Sequence, residues 1–97
     1  MPLYITLMNF TEQGIKNIKE SPSRVDAARE MMAGLGAELK AFYLTMGNYD
    51  AVAISEAPSD EICAKIALVI GAGGNARTLT MRAFDEAAYR DIIAGLP

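Results

Sequence analysis

The sequence predicts a single α+β domain whose elements run strand, helix, strand, strand, helix, strand. Three observations carry that prediction. Some stretches alternate their side chains with period two, others repeat apolar residues every three or four positions, and a glycine turn, Gly47 to Asp50, joins two extended runs with no helix between them. Residues 1–97 fit one core, because two domains of half this length would each bury too little apolar surface to fold.

The first strand is expected over Pro2 to Asn9, where Leu3, Ile5 and Leu7 alternate with Tyr4, Thr6 and Met8. Both of its faces are largely apolar, as in a central strand. Thr11 is placed to cap a helix running to about Glu20, and Ser21 with Pro22 restarts it, since proline is tolerated only in a first helical turn. Val25, Ala28, Met32 and Leu35 then form a helical stripe, and Gly36 sits where a left-handed cap ends a helix. Ala37 to Met46 and Ala51 to Glu56 make an antiparallel hairpin through Gly47 and Asn48, a pair suited to the positive φ of tight turns. Ser59, Asp60 and Glu61 open the next helix at its positive end, Ile62, Ile66 and Val69 or Ile70 stripe it, and Gly71, Gly73 and Gly74 end it. Arg77 to Phe84 is the fourth strand, and Asp85 caps a short final helix with Ala88, Ile92 and Leu96 on one side.

This order is the ferredoxin-like βαββαβ arrangement, with both helices on one face of a four-stranded antiparallel sheet. The opposite face is expected to carry Tyr4, Thr6, Met8, Phe42, Ala51 and Ala53, too apolar for water, and to pack against the sheet of a second copy.

Composition narrows the function. Apolar residues make up 52% of the chain and charged residues 22%, an apolar share high enough to point to a surface covered by another subunit. A net charge of −3 with no basic stripe argues against a nucleic-acid partner. The chain has no histidine, which removes the usual general base near neutral pH and the commonest ligand of zinc, copper and haem. The lone Cys63 has no internal disulfide partner and no acidic loop offers an all-oxygen metal site, so neither a metal nor another cofactor is expected. No apolar run reads as a membrane or signal segment, and a cytoplasmic location follows as the expectation.

Gly47-Asn48-Tyr49-Asp50 resembles the motif that names the GYD-domain proteins. Glu20 to Arg24, Glu56-Ala57-Pro58, Gly74 to Thr80 and Ala83-Phe84 are similar to the same family's pattern, in register over about eighty residues. The resemblance implies a dimeric α/β barrel of two ferredoxin-like sheets packed face to face, in a family without a well-established activity. Because such a superfold serves many functions, it does not transfer one.

Six residues are candidate ligand contacts. Tyr49 and Asp50 place a phenol beside a carboxylate at the start of the third strand, although an aspartate at a turn also serves simply to bind backbone amides. Arg77, Thr78 and Thr80 bring a guanidinium and hydroxyls to a strand that follows a turn, where they suit a carboxylate; a pairing of Arg77 with an acidic side chain across a dimer is the alternative. Arg24 lies one turn into the restarted helix, within reach of Glu20 or Asp26. Cys63 and the six methionines read as packing residues. The expected function is an oligomeric small-molecule-binding or regulatory domain for a small anionic or aromatic metabolite. The alternatives are a cofactor-independent oxygenase or isomerase, with an Asp or Tyr as base, and a structural module serving another protein.

Overall fold

The computed structural model describes all residues, 1–97. The elements are β1 (Leu3–Phe10), α1 (Glu12–Lys16), a single 3-10 turn (Ile18–Glu20), α2 (Ser21–Gly34), β2 (Glu38–Leu44), β3 (Ala51–Glu56), α3 (Asp60–Ala72), β4 (Ala76–Ala83) and α4 (Glu86–Ala94). The expected βαββαβ order is present, with α1 and α2 as the two parts of the kinked first helix and α4 appended. The strands form one antiparallel sheet in the order β2-β3-β1-β4, with β3 and β1 at its centre. No helix is long and apolar enough to cross a membrane.

Side-chain caps start the helices where the sequence places them. The Thr11 hydroxyl accepts from Gly14 N–H at 3.1 Å, Ser59 from Ile62 N–H at 3.3 Å, and Asp85 from Ala88 N–H at 2.8 Å, each satisfying an amide that the first turn leaves free. The second helix begins one residue earlier than expected: Ser21 is already helical and Glu20 is the cap position. The hairpin is also wider than a two-residue turn. β2 ends at Leu44, Thr45 N–H donates to Asp50 O at 2.9 Å, and only Gly47 takes a positive φ, of 112°; Asn48 does not.

Directly paired residues share a sheet face, so the register sorts every strand residue into one of two layers. One layer holds Tyr4, Thr6, Met8, Ala51, Ala53, Ser55, Leu39, Phe42, Thr78, Thr80 and Arg82. The other holds Leu3, Ile5, Leu7, Val52, Ile54, Leu79, Met81, Ala41 and Tyr43, with Glu56 at one end and Asn9 and Arg77 at the other. The shift between Leu39 and Ala41 makes Lys40 the extra residue of a bulge, which keeps both Leu39 and Phe42 in the first layer.

The helices cover the first layer, which corrects the face assignment made from sequence. Tyr4, at 3% exposure, forms the core with Met32, Ala37, Ala57 and Ile66, and Ala51 and Ala53 are buried at 0% and 7%. Polarity does not decide the matter, because β1 is apolar on both sides. Size distinguishes the layers: β3 turns its small side chains, Ala51, Ala53 and Ser55, to the helix side, while Val52 and Ile54 point the other way.

The uncovered layer is therefore the more apolar of the two, with Leu79 and Met81 50% and 43% exposed. α4 likewise buries none of its residues and leaves Tyr89, Ile92, Ile93 and Leu96 in the open. A compact chain of this mass exposes about 5,400 Å², and this one exposes 6523 Å², an excess of roughly 1,100 Å². Its radius of gyration, 14.6 Å, likewise exceeds the roughly 12.5 Å of a compact domain of this length.

Candidate functional site

β3 turns Ala51, Ala53 and Ser55 toward the helices, and the small side chains of Ala53 and Ser55 leave space beneath them. The gap is a cleft of about 410 Å³ between α2, α3 and the sheet, within the usual range for small-molecule sites. Val25, Ala28, Met31 and Met32 of α2 form one wall, and Ile66, Val69 and Ile70 of α3 form the other. Thr6, Met8, Ala53 and Ser55 form the floor, with Leu39 and Phe42 at the β2 edge.

Few polar groups enter this space, and most are already held. Thr6 Oγ1 lies 3.1 Å from Thr80 Oγ1, so the two hydroxyls bond to each other. The Asn75 side chain accepts from Gln13 Nε2 at 3.1 Å. Ser55 is 8% exposed and its hydroxyl forms none of the chain's side-chain hydrogen bonds, although its residue lines the cleft. The hydroxyl is open to the cleft, where an oxygen of a bound molecule could bond it.

The six candidates named from the sequence do not converge on one point. Arg24 lines the cleft, its Nη1 donating to Asn17 O at 3.0 Å and its Nη2 to Gly14 O at 3.4 Å, with Glu20 Oε2 at 4.0 Å. Asp26 pairs instead with Arg29, at 3.2 Å. Thr80 reaches the cleft only through Thr6 and lines a smaller depression with Tyr4, Asp60, Cys63 and Arg82. Thr78 lies opposite Met8 in the helix-covered layer, and Arg77 lies opposite Asn9 in the uncovered one.

Tyr49 and Asp50 lie at the hairpin, where the carboxylate of Asp50 works on the backbone. Its Oδ2 accepts from Phe10 N–H at 2.9 Å, and its own N–H donates to Met8 O at 2.8 Å, so the turn is stitched to the end of β1. The Tyr49 carbonyl accepts from the Thr45 hydroxyl at 2.6 Å.

The smaller depression, about 260 Å³, is built around a hydrogen bond that the sequence does not announce. Tyr4 donates its phenol to Asp60 Oδ1 at 2.5 Å. Burial, reinforced by that bond and by the Asp60 charge, pushes the Tyr4 phenol up to about 12. Burial also raises the Cys63 thiol above its ordinary range, with Asp60 adding to the effect, which keeps it protonated and unreactive. Arg82 lies 4.5 Å from the Phe84 ring centroid and 5.8 Å from that of Tyr4.

Sequence reasoning missed Ser55, Thr6 and Asn75. A signal for the first was present: Ala51, Ala53 and Ser55 alternate with Val52 and Ile54, and a run of small residues on one side of a central strand leaves room on that side.

Comparison with known proteins agrees with this architecture. A family model described as the GYD domain matches residues 4–93. The chain is 30% identical over 97 residues to a Thermus thermophilus protein named glutamine synthetase and cystathionine beta-lyase binding protein, covering 99% of each sequence. It is also similar to the crystal structure of TTHA0845 from Thermus thermophilus, with a TM-score of 0.54 at 24% identity over 88% of this chain and 95% of that one. The second likeness bears on the fold alone.

Proposed function

The chain belongs to the GYD domain family, and from that membership we propose that it acts as a homodimeric binding module that holds a small molecule in its cleft and docks on a larger protein. The observation that carries the proposal is the uncovered sheet layer. Ile5, Leu7, Val52, Ile54, Leu79 and Met81 form a continuous apolar surface across three strands, flanked on β2 by Ala41 and Tyr43. The excess surface of roughly 1,100 Å² is close to the roughly 800 Å² that each partner contributes to a standard interface. Charge supports the same pairing. Glu56 and Arg77 stand at opposite ends of the layer, so a two-fold axis across the strands brings Arg77 of each copy toward the Glu56 end of the other.

Binding fits the polar groups better than turnover does. An oxygenase or isomerase needs a carboxylate or phenolate free to take a proton, whereas Asp50 is engaged by Phe10 N–H and Tyr4 is held protonated by burial and Asp60. A protein partner is favoured by α4, whose exposed Tyr89, Ile92, Ile93 and Leu96 offer aromatic and aliphatic anchors, and by the name of the Thermus relative. A single free cysteine suits a reducing compartment, and we place the module in the cytoplasm.

Sedimentation equilibrium of the purified chain tests the reading. A particle of two chains, or a multiple of two, is expected at micromolar concentration. A monomer at every concentration overturns it.

A further inference from the structure

We propose that the cleft takes a linear monocarboxylate with a long alkyl body, its carboxylate at Arg24 and its tail running along the strands toward Ser55. The inference rests on reading the chain as a binding module and adds the class of ligand.

Shape sets the body. Ser55 pairs with Tyr4 and Ala76 pairs with Phe10, and both Ser55 and Ala76 line the cleft. Six residue steps along β1 separate those two rows, a run of roughly 20 Å at strand rise. A volume of about 410 Å³ over that length makes the cleft an elongated slot, which suits an extended ligand. The floor is Met8 and Ala53 and the walls are aliphatic, so the body is hydrocarbon.

Charge sets the head. Of the 20 residues lining the cleft, Arg24 alone is charged, although the whole chain carries −3. Its guanidinium is fixed by the carbonyls of Asn17 and Gly14, which leaves N–H groups for a bound carboxylate. It also lies in the first turn of α2, a helix of 14 residues whose positive end attracts an anion. At the far end the Ser55 hydroxyl, which lines the cleft and makes no side-chain hydrogen bond within the chain, is placed to bond an oxygen on the tail. A ligand with a hydroxyl or carbonyl at its far end satisfies both ends of the cleft.

Isothermal titration of the whole chain with decanoate, decanol, decylammonium and acetate tests this. Decanoate is expected to bind at least about tenfold more tightly than decanol or decylammonium, and acetate to give no heat. An ω-hydroxydecanoate should bind more tightly than decanoate, and Ser55→Ala should remove the difference. Arg24→Gln should bring decanoate down to the affinity of decanol. Because Arg24 also holds the carbonyls of Gly14 and Asn17, Ala28→Phe provides a second variant, which fills the cleft from α2 and should abolish binding of both ligands. Equal affinity for decanoate and decylammonium, or undiminished decanoate binding by Ala28→Phe, overturns the inference. Sedimentation of the same samples separates the two readings: a dimer that binds no decanoate sinks the ligand class alone, and a monomer that binds it sinks the dimer alone.

Discussion

Replacing Ile54 with aspartate should split the proposed dimer while leaving each chain folded. Ile54 is in the middle row of the uncovered layer, between Ile5 on β1 and Ala41 on β2, and faces away from α2 and α3. In a two-fold pair the substitution appears twice, so two carboxylates enter the seam. Each loses the burial of an isoleucine side chain, worth about 1.5–3 kcal/mol, and adds a desolvation penalty of several kcal/mol that no basic residue in the middle rows offsets. Ionisation shifts and water entry relieve part of this, and a net loss on the order of 5 kcal/mol remains, which raises the dissociation constant by three to four decades. The helix-side core of Tyr4, Met32, Ala37, Ala57 and Ile66 is untouched, so the circular dichroism of the variant should match that of the parent. Sedimentation equilibrium across a concentration series gives the measurement. Leu68→Asp, on an exposed position of α3, is the control and should leave association unchanged. A dissociation constant for Ile54→Asp within about threefold of the parent value would refute the reasoning.

Gly14→Ala should be severe and Gly34→Ala mild or stabilising. A Cβ at Gly14 would stand 2.0 Å from the Asn75 carbonyl oxygen, which also accepts from Thr11 N–H at 3.1 Å, whereas one at Gly34 meets nothing within 4 Å. About 2–4 kcal/mol lost at Gly14 lowers Tm by on the order of 10–20 °C, and Gly34→Ala should raise it by a few degrees; equal Tm values for the two would refute the contrast. Asp50→Ala should cost about 1–3 kcal/mol in chemical denaturation by freeing Phe10 N–H, and should leave cleft binding unaffected. Folding raises the Tyr4 phenol from its ordinary 10 to about 12, so the folded state prefers the proton. The corresponding stability is complete below pH 10 and is lost as pH rises toward about 12. Tyr4→Phe should remove that alkaline slope from Tm-against-pH curves, and a slope unchanged in Tyr4→Phe would assign it to another group.

What the sequence shows and what it hides follow from physical differences between residues. The caps Thr11, Ser59 and Asp85 are readable because their oxygens compete for backbone amides next to them in the chain, and Gly36 and Gly47 because positive φ excludes most side chains. The covered face of the sheet is not readable from polarity. Leu3, Ile5 and Leu7 are as apolar as Tyr4 and Met8, and the choice depends on how closely two distant helices can approach. The cleft is hidden for the same reason, since an absence of side-chain volume at Ala53 becomes a space only when α2 and α3 arrive above it. Arg24 is visible as a charge near the start of a helix, whereas Ser55 looks like an ordinary strand residue. Asp50 is visible as a turn residue, and the 2.9 Å bond that ties it to β1 depends on a contact across forty positions of chain.

The alternation along β3 makes the proposed oligomer and ligand separately editable. Its even positions, Val52 and Ile54, lie in the uncovered layer, and two of its odd positions, Ala53 and Ser55, line the cleft. Substitutions at 52 and 54 would alter the proposed self-association with no side chain reaching the cleft, and those at 53 and 55 would reshape the cleft without touching the uncovered layer. An inserted residue enjoys no such independence. It exchanges odd for even, drives Val52 and Ile54 into the cleft, presents alanines on the uncovered layer, and alters both faces in one step.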